Sequence, residues 1–148
     1  MNIKTKYHGE IPIKEEDILH FEKGIPGFPG ETKFAQIPLS EDGLFQVLQS
    51  TTDPDIGFIT TDPFFFKKDY DFSIEDSIVD SLGIQNEQDV KVIVIITPQE
   101  PFNHSTANLQ SPVIINRTTR KARQVILSNT VYQTKHPLFA EEVVAAKE

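Results

Sequence analysis

The sequence predicts a mainly β, antiparallel, barrel-like single domain carrying one or two short helices, and three observations lead there. Pro, Gly or Asp interrupts most of the chain about every ten residues, the rhythm of short strands. Ile3, Thr5 and Tyr7 alternate with Lys4 and Lys6, the two-residue period of a half-exposed strand. Val92–Ile96 is unbroken Val and Ile, which suits a central strand covered on both faces.

The elements follow in order. His8-Gly9 offers a tight turn from the first strand into 10–13, and Pro12, which cannot donate to a ladder, puts that hairpin at a sheet edge. Further strands are expected at 18–21, 33–37, 44–49, 58–61, 90–97, 104–109, 113–116 and 122–128. Closure of this sheet into a barrel would remove its edges. Ile74, Ile78, Val79 and Leu82 recur at helical spacing, so a helix is expected over about 73–83, with Ser73 and Asp76 as a capping box and Gly83 as its stop. A second short helix is expected to begin near Pro137. The domain should span 1–140, followed by an acidic tail, 141–148, either helical or frayed.

Charge is distributed unevenly. The chain of 148 residues has a formal net charge of −8. Residues 1–100 carry −11, whereas 101–140 contain Arg117, Arg120, Lys121, Arg123 and Lys135 without one acid, a local +5. Such asymmetry bears on partners more than on any reaction. The chain has no Cys, which excludes disulfides and thiolate sites and suits the cytoplasm. MNIKTKYHGE lacks the apolar core of a secretory signal, and Val92–Ile96 falls far short of a membrane span.

No local pattern supports catalysis or a cofactor. His8, His20, His104 and His136 lie far apart, without metal-ligand spacing on one element. Asp53 and Asp55 begin like a calcium loop, but the twelfth position is Phe64. His104 and Ser105, as strand neighbours, would face opposite ways and make a poor base–nucleophile pair. The run from Gly24 to Gly30 lacks the Lys-Ser/Thr ending of a phosphate loop, and its prolines remove anion-facing N–H groups. It reads as a stiff loop whose Phe28 either plugs the core or is presented to solvent.

Phe64, Phe65 and Phe66 cannot all face inward if extended, so at least one is exposed unless a turn or bulge buries all three. An exposed ring beside Lys67, Lys68 and Tyr70 would suit an interface. The basic turn Arg117–Arg123 has a sharper reading, a nucleic-acid contact, and a plainer one, a solvated hairpin tip. The acidic balance and the lack of interleaved aromatics favour the tip. The rival to be tested is thus a direct RNA-binding β-barrel using 117–123.

Several segments resemble the FliW family of flagellar assembly factors. They comprise Phe21 with Gly24-Ile25-Pro26-Gly27-Phe28, then Leu48-Gln49-Ser50, Asp53-Pro54, Phe58, Asp62-Pro63 and Tyr70. The strongest part is Asn108-Leu109, Pro112-Val113-Ile114-Ile115-Asn116 and Gln124-Val125-Ile126-Leu127. The chain departs at Ile25, where Leu is usual, and lacks the glycine expected near Ala122. The resemblance implies a β-barrel-like protein without enzymatic activity or cofactor, monomeric when free, with two protein partners and no direct nucleic-acid or membrane contact. One partner is flagellin. The other is CsrA, a small RNA-binding dimer that represses translation of the flagellin message. The two compete for FliW, and export of flagellin frees FliW to capture CsrA and lift repression. The expected contacts are Phe64, Phe65 and Tyr70 as apolar anchors, with Asp69, Asp71, Glu75 and Asp76 as charges beside them. Gly24, Pro26, Gly27, Phe28, Gln49, Ser50, Asp62, Pro63, Asn108, Pro112, Asn116 and Gln124 are expected to be mostly architectural.

Overall fold

A computed structural model describes residues 1–128 and 130–139. An N-terminal hairpin forms, but with a longer turn than expected: β1 (Asn2–Lys4) pairs antiparallel with β2 (Glu10–Pro12) as a separate two-stranded sheet. Thr5 and Tyr7 belong to the loop 5–9, closed by the Thr5 N–H to Gly9 carbonyl bond at 2.8 Å. Its Ile3 and Ile11 pack with Ile13, Ile18, Ala35 and Ile37, so the hairpin covers the outer face of the next two strands. Those strands, β3 (Ile18–His20) and β4 (Lys33–Pro38), open a larger sheet that continues through β5 (Phe45–Ser50), β6 (Gly57–Thr61) and β7 (Val90–Thr97). β7 is central as expected. One edge meets β6, and the other is shared by β9 (Val113–Asn116) and the short β8 (Thr106–Ala107). β10 (Ala122–Gln124) extends β9, and every strand pairing is antiparallel.

The sheet curls but does not close into a barrel. Its ends, β3 and β10, have three residues each and meet in one bridge, where the His20 N–H donates to the Arg120 carbonyl at 2.8 Å. The bridge is parallel and joins His20 only to Lys121, just before β10, so the two end strands form no ladder. Inside the curl lies the main core, with Leu19, Phe21, Phe34, Leu48, Ile93, Val113 and Ile115 buried together. Phe21 and Phe34 meet edge to face at 5.3 Å, and Phe58 joins Phe34 at 6.1 Å.

The single α-helix among the described residues, α1 (Asp76–Leu82), buries Ile78 and Leu82 against Ile114 and Val125 on the outer face of β9–β10. Its stop is as expected: Gly83 takes φ 66° and donates back to the last turn. Its start is not. Glu75 holds the cap position and no side chain caps the helix, because Ser73 lies two residues upstream in extended chain. The expected 104–109 strand shrinks to β8, since Phe102–His104 forms a 3-10 turn. The second helix does not begin at Pro137 either. His136–Pro137 forms β11, which pairs with β8 and gives that short strand a partner on its free edge. The remainder of that expectation, and the acidic tail 141–148, lie outside the described residues. No described helix is long and apolar enough to cross a membrane.

Candidate partner-binding surface

The strap 62–76 leaves β6, crosses the outside of the sheet and enters α1. Asp62 launches it. One carboxylate oxygen accepts from the Phe64 N–H at 2.9 Å, and the other pairs with Lys91 Nζ at 3.0 Å. Buried Pro63 occupies the first position of the resulting 3-10 turn, where a missing N–H costs nothing. The turn settles the triple-Phe question. Phe64 is 42% and Phe65 66% exposed, while Phe66 turns back to pack on Phe45 and Phe139. Phe102 (41% exposed) extends this aromatic cluster through Phe45 at 5.3 Å, a contribution the sequence did not reveal.

Tyr70 corrects the sequence reading. It is 3% exposed, so it cannot serve as a surface anchor. Its hydroxyl donates to the Leu109 carbonyl at 2.6 Å, and its ring is walled by Tyr132 (4.7 Å), Phe72 (5.2 Å) and Phe64 (5.9 Å). Burial first, and then the neighbouring Tyr132, push its pKa well above the ordinary tyrosine value. The Asp71 N–H donates to the Tyr132 hydroxyl at 2.9 Å, so two tyrosines tie the strap to the rest of the fold. Tyr70 is a strut beneath Phe64.

The four acids expected beside the anchors are all exposed. Asp69 pairs with Lys67 at 3.1 Å, and that hydrogen bond and charge hold its carboxyl below the usual range. Asp71 and Glu75 lie on one wall of a groove of about 600 Å³, and Asp76 opens α1. The opposite wall is β10 and the extended chain after it, with Arg123 and the 71%-exposed Ile126. Phe72, Ile74 and Val125 give the groove an apolar lining. Phe64 and Phe65 lie outside it, though Ile74 also lines the neighbouring depression that contains Phe64. The structure therefore separates the expected patch into an aromatic ridge and an acidic groove.

The basic turn is organised by Asn116, buried at the end of β9. Its amide donates to the Leu82 carbonyl at 2.8 Å, and its oxygen accepts from the Thr118 and Thr119 N–H groups. The left-handed position falls at Arg120 (φ 63°), where a non-glycine residue is strained. The cations do not form one track: Lys121 pairs with Glu22 at 3.6 Å, Arg123 lines the groove, and Arg117 and Arg120 line a separate depression. Lys121 and Arg123 share one depression with Glu22, and Arg117 and Arg120 share another, so a nucleic acid would meet two separate pairs, which weighs against the RNA-binding rival.

Most motif residues shape the chain. Gly24 has φ 70°, and a Cβ there would stand 2.6 Å from the Phe28 carbonyl oxygen and 2.7 Å from Pro29 Cα. Gly27 allows Ile25-Pro26-Gly27-Phe28 to turn back on itself, with the Phe28 N–H donating to the Ile25 carbonyl at 2.7 Å. Phe28 neither plugs the core nor stands free: it is 38% exposed and rests edge-on against Phe58. Buried Gln49 accepts from the Lys6 N–H and donates towards carbonyls of the 50–56 turn, while the Ser50 hydroxyl donates to Glu31. Asn108 accepts from the Ser111 N–H, and Gln124 donates to the Ser111 carbonyl across buried Pro112. Ser105 is buried and accepts from the Gln99 N–H, whereas His104 is exposed, so the two form no catalytic pair. Among the described residues, no cluster of three His, Asp or Glu side chains is placed to hold a metal ion.

Known proteins with this arrangement are close in sequence. The family model described as FliW protein matches residues 2–138. The flagellar assembly factor FliW of Bacillus subtilis (strain 168) is 50% identical over 141 residues, covering 95% of this chain and 99% of that protein. Its counterpart from Geobacillus sp. (strain WCH70) is 50% identical over 143 residues, covering 97% and 99%. A crystal structure of the flagellar assembly factor FliW superposes with a TM-score of 0.88 at 45% identity, covering 93% of this chain and 96% of the other. With its curled antiparallel sheet and the motif residues that shape it, this chain belongs to the FliW family.

Proposed function

We propose that this chain is a non-enzymatic regulator of flagellar assembly in the cytoplasm. It holds flagellin and, once flagellin is exported, captures CsrA and lifts its repression of flagellin translation. Family membership supports the flagellar role. The observation that carries the binding surface is the pair Phe64 and Phe65, held outward on a strap braced by Tyr70 and Tyr132. Exposed aromatic rings on a rigid support lose little entropy on docking, which is what an interface anchor needs.

Electrostatics add the second element. Residues 1–100 carry −11, and Asp71, Glu75 and Asp76 are exposed beside the groove. An acidic surface steers a cationic RNA-binding protein towards itself and repels RNA near the contact. Each anchor, replaced by Ala, should weaken capture by about 2 kcal/mol, roughly thirtyfold. Association with CsrA should slow as salt rises. Stopped-flow association and titration calorimetry read both effects. An on-rate flat from low to high ionic strength would remove the electrostatic element, and unchanged affinity of both anchor variants for both partners would move the surface elsewhere.

A further inference from the structure

The curled sheet has an open end whose chemistry differs from the rest of this acidic protein. On each strand the inward row alternates, and Phe34, Leu48 and Ile93 belong to the buried core. Two residues further along the same rows, at one end of the curl, stand Gln36, Gln46 and Lys91. The β9–β10 turn adds Arg117 and Arg120 there, and Ile115 forms the floor. The six residues line a shallow cup of about 310 Å³. The cup's own lining holds three cations and no acid; Lys91 is paired with Asp62 at 3.0 Å, and Glu87 lies with Lys91 and Arg117 in the neighbouring depression, so positive charge stays in surplus.

Arg120 is built into this position. Its N–H donates to the Asn116 carbonyl and its carbonyl accepts from the His20 N–H, both at 2.8 Å, which pins the backbone at φ 63°. Strained residues held from both sides cluster where they position a functional group. The Arg120 Nε–H is shielded from solvent and has no hydrogen-bond partner, so this buried donor is a sensitive reporter of any shift of the guanidinium at the cup.

We propose that this cup is an oxyanion site that receives a single carboxylate presented by an acidic residue of a protein partner. Guanidinium groups match a carboxylate's two oxygens, and amide N–H groups complete its coordination. The cup suits one anionic group and not a run of phosphates. Lys121 and Arg123 point elsewhere, and the protein's net −8 repels a polyanion. The site lies apart from the acidic groove, and its test does not depend on the identity of flagellin or CsrA as partners.

The test is NMR of the full ¹⁵N-labelled chain, following the Arg120 Nε–H signal at constant ionic strength. The probes are acetyl-Ala-Glu-Ala-amide, its Gln counterpart, inorganic phosphate and oligouridylate. The Glu peptide should give a saturable shift that the Gln peptide does not. Arg117→Gln should weaken it about tenfold or more, a change followed on the Gln36 and Gln46 amide signals as well. Arg120→Gly removes the guanidinium while suiting the left-handed backbone, so it should abolish binding in a chain that still folds. A non-saturating drift, or binding unchanged in either variant, would overturn the site. Phosphate or oligouridylate binding tenfold tighter than the Glu peptide would overturn the carboxylate assignment.

Discussion

Replacing Tyr70 with Phe separates a strut from a contact. The substitution keeps the ring and removes the hydroxyl that donates to the Leu109 carbonyl at 2.6 Å. Tyr70 is 3% and Leu109 2% exposed, so water does not readily replace the lost donor. Leaving a buried carbonyl unpaired costs about 1–3 kcal/mol, and no cavity term adds to it because the ring volume stays. For a chain of this length, 2 kcal/mol lowers Tm by roughly 4–8 °C. Urea unfolding should show a lower midpoint at unchanged m-value, and affinity for flagellin and CsrA should stay within about twofold.

The same hydroxyl provides a pH test. Burial raises the folded-state pKa of Tyr70 above its ordinary value of 10.0. Below pH 10 both folded and unfolded chains keep the proton, and the full stabilisation is present. Above pH 10 the unfolded chain releases the proton while the folded chain holds it, so stability falls by up to about 1.4 kcal/mol per pH unit from this group. Tyr70→Phe lacks that loss, so the stability gap between wild type and variant should narrow as pH rises from 9 to 11. A variant of wild-type stability with partner affinity reduced tenfold would refute the strut assignment and restore Tyr70 as a contact.

Three other substitutions test two motif residues and the strained Arg120. Gly24→Ala drives a Cβ into backbone atoms 2.6–2.7 Å away at φ 70° and should cost about 3 kcal/mol or more, read by urea unfolding. Asn116→Ala strips the Leu82 carbonyl and the Thr118 and Thr119 N–H groups of their partner. It should cost about 3 kcal/mol and speed hydrogen exchange at those two amides. Arg120→Gly relieves the φ 63° strain but adds freedom to the unfolded chain, leaving a net gain of up to about 1 kcal/mol, measured as an equal or higher Tm.

The presence of the hairpin β1–β2 and the helix stop at Gly83 were legible because local residues determine them, a glycine-bearing turn and a glycine free to take φ 66°, although the strand ends at Lys4 and leaves Thr5 and Tyr7 in the turn. Closure was not. Whether β3 and β10 meet in a ladder or a single bridge depends on curvature accumulated over seven strands, which no local pattern records. The site divides in the same way. The period-two argument expected an exposed Phe in 64–66 if the segment were extended; the segment is a 3-10 turn, and it still leaves Phe64 and Phe65 exposed. Tyr70 misled because its neighbours Lys67, Lys68, Asp69 and Asp71 are hydrophilic, while the groups that bury it, Leu109 and Tyr132, lie 39 and 62 residues away. Lys91 and Arg120 share a cup only through sheet register and a reversed turn, so their meeting was invisible before the fold.

The most direct test is calorimetric titration of the purified chain and its Phe64→Ala/Phe65→Ala double variant with flagellin and, separately, with CsrA. Both rings are surface groups, so the variant should unfold within about 1 kcal/mol of wild type. Saturable binding of each protein by wild type, weakened at least about thirtyfold in the variant, is the predicted result. No heat of association with either protein would contradict it.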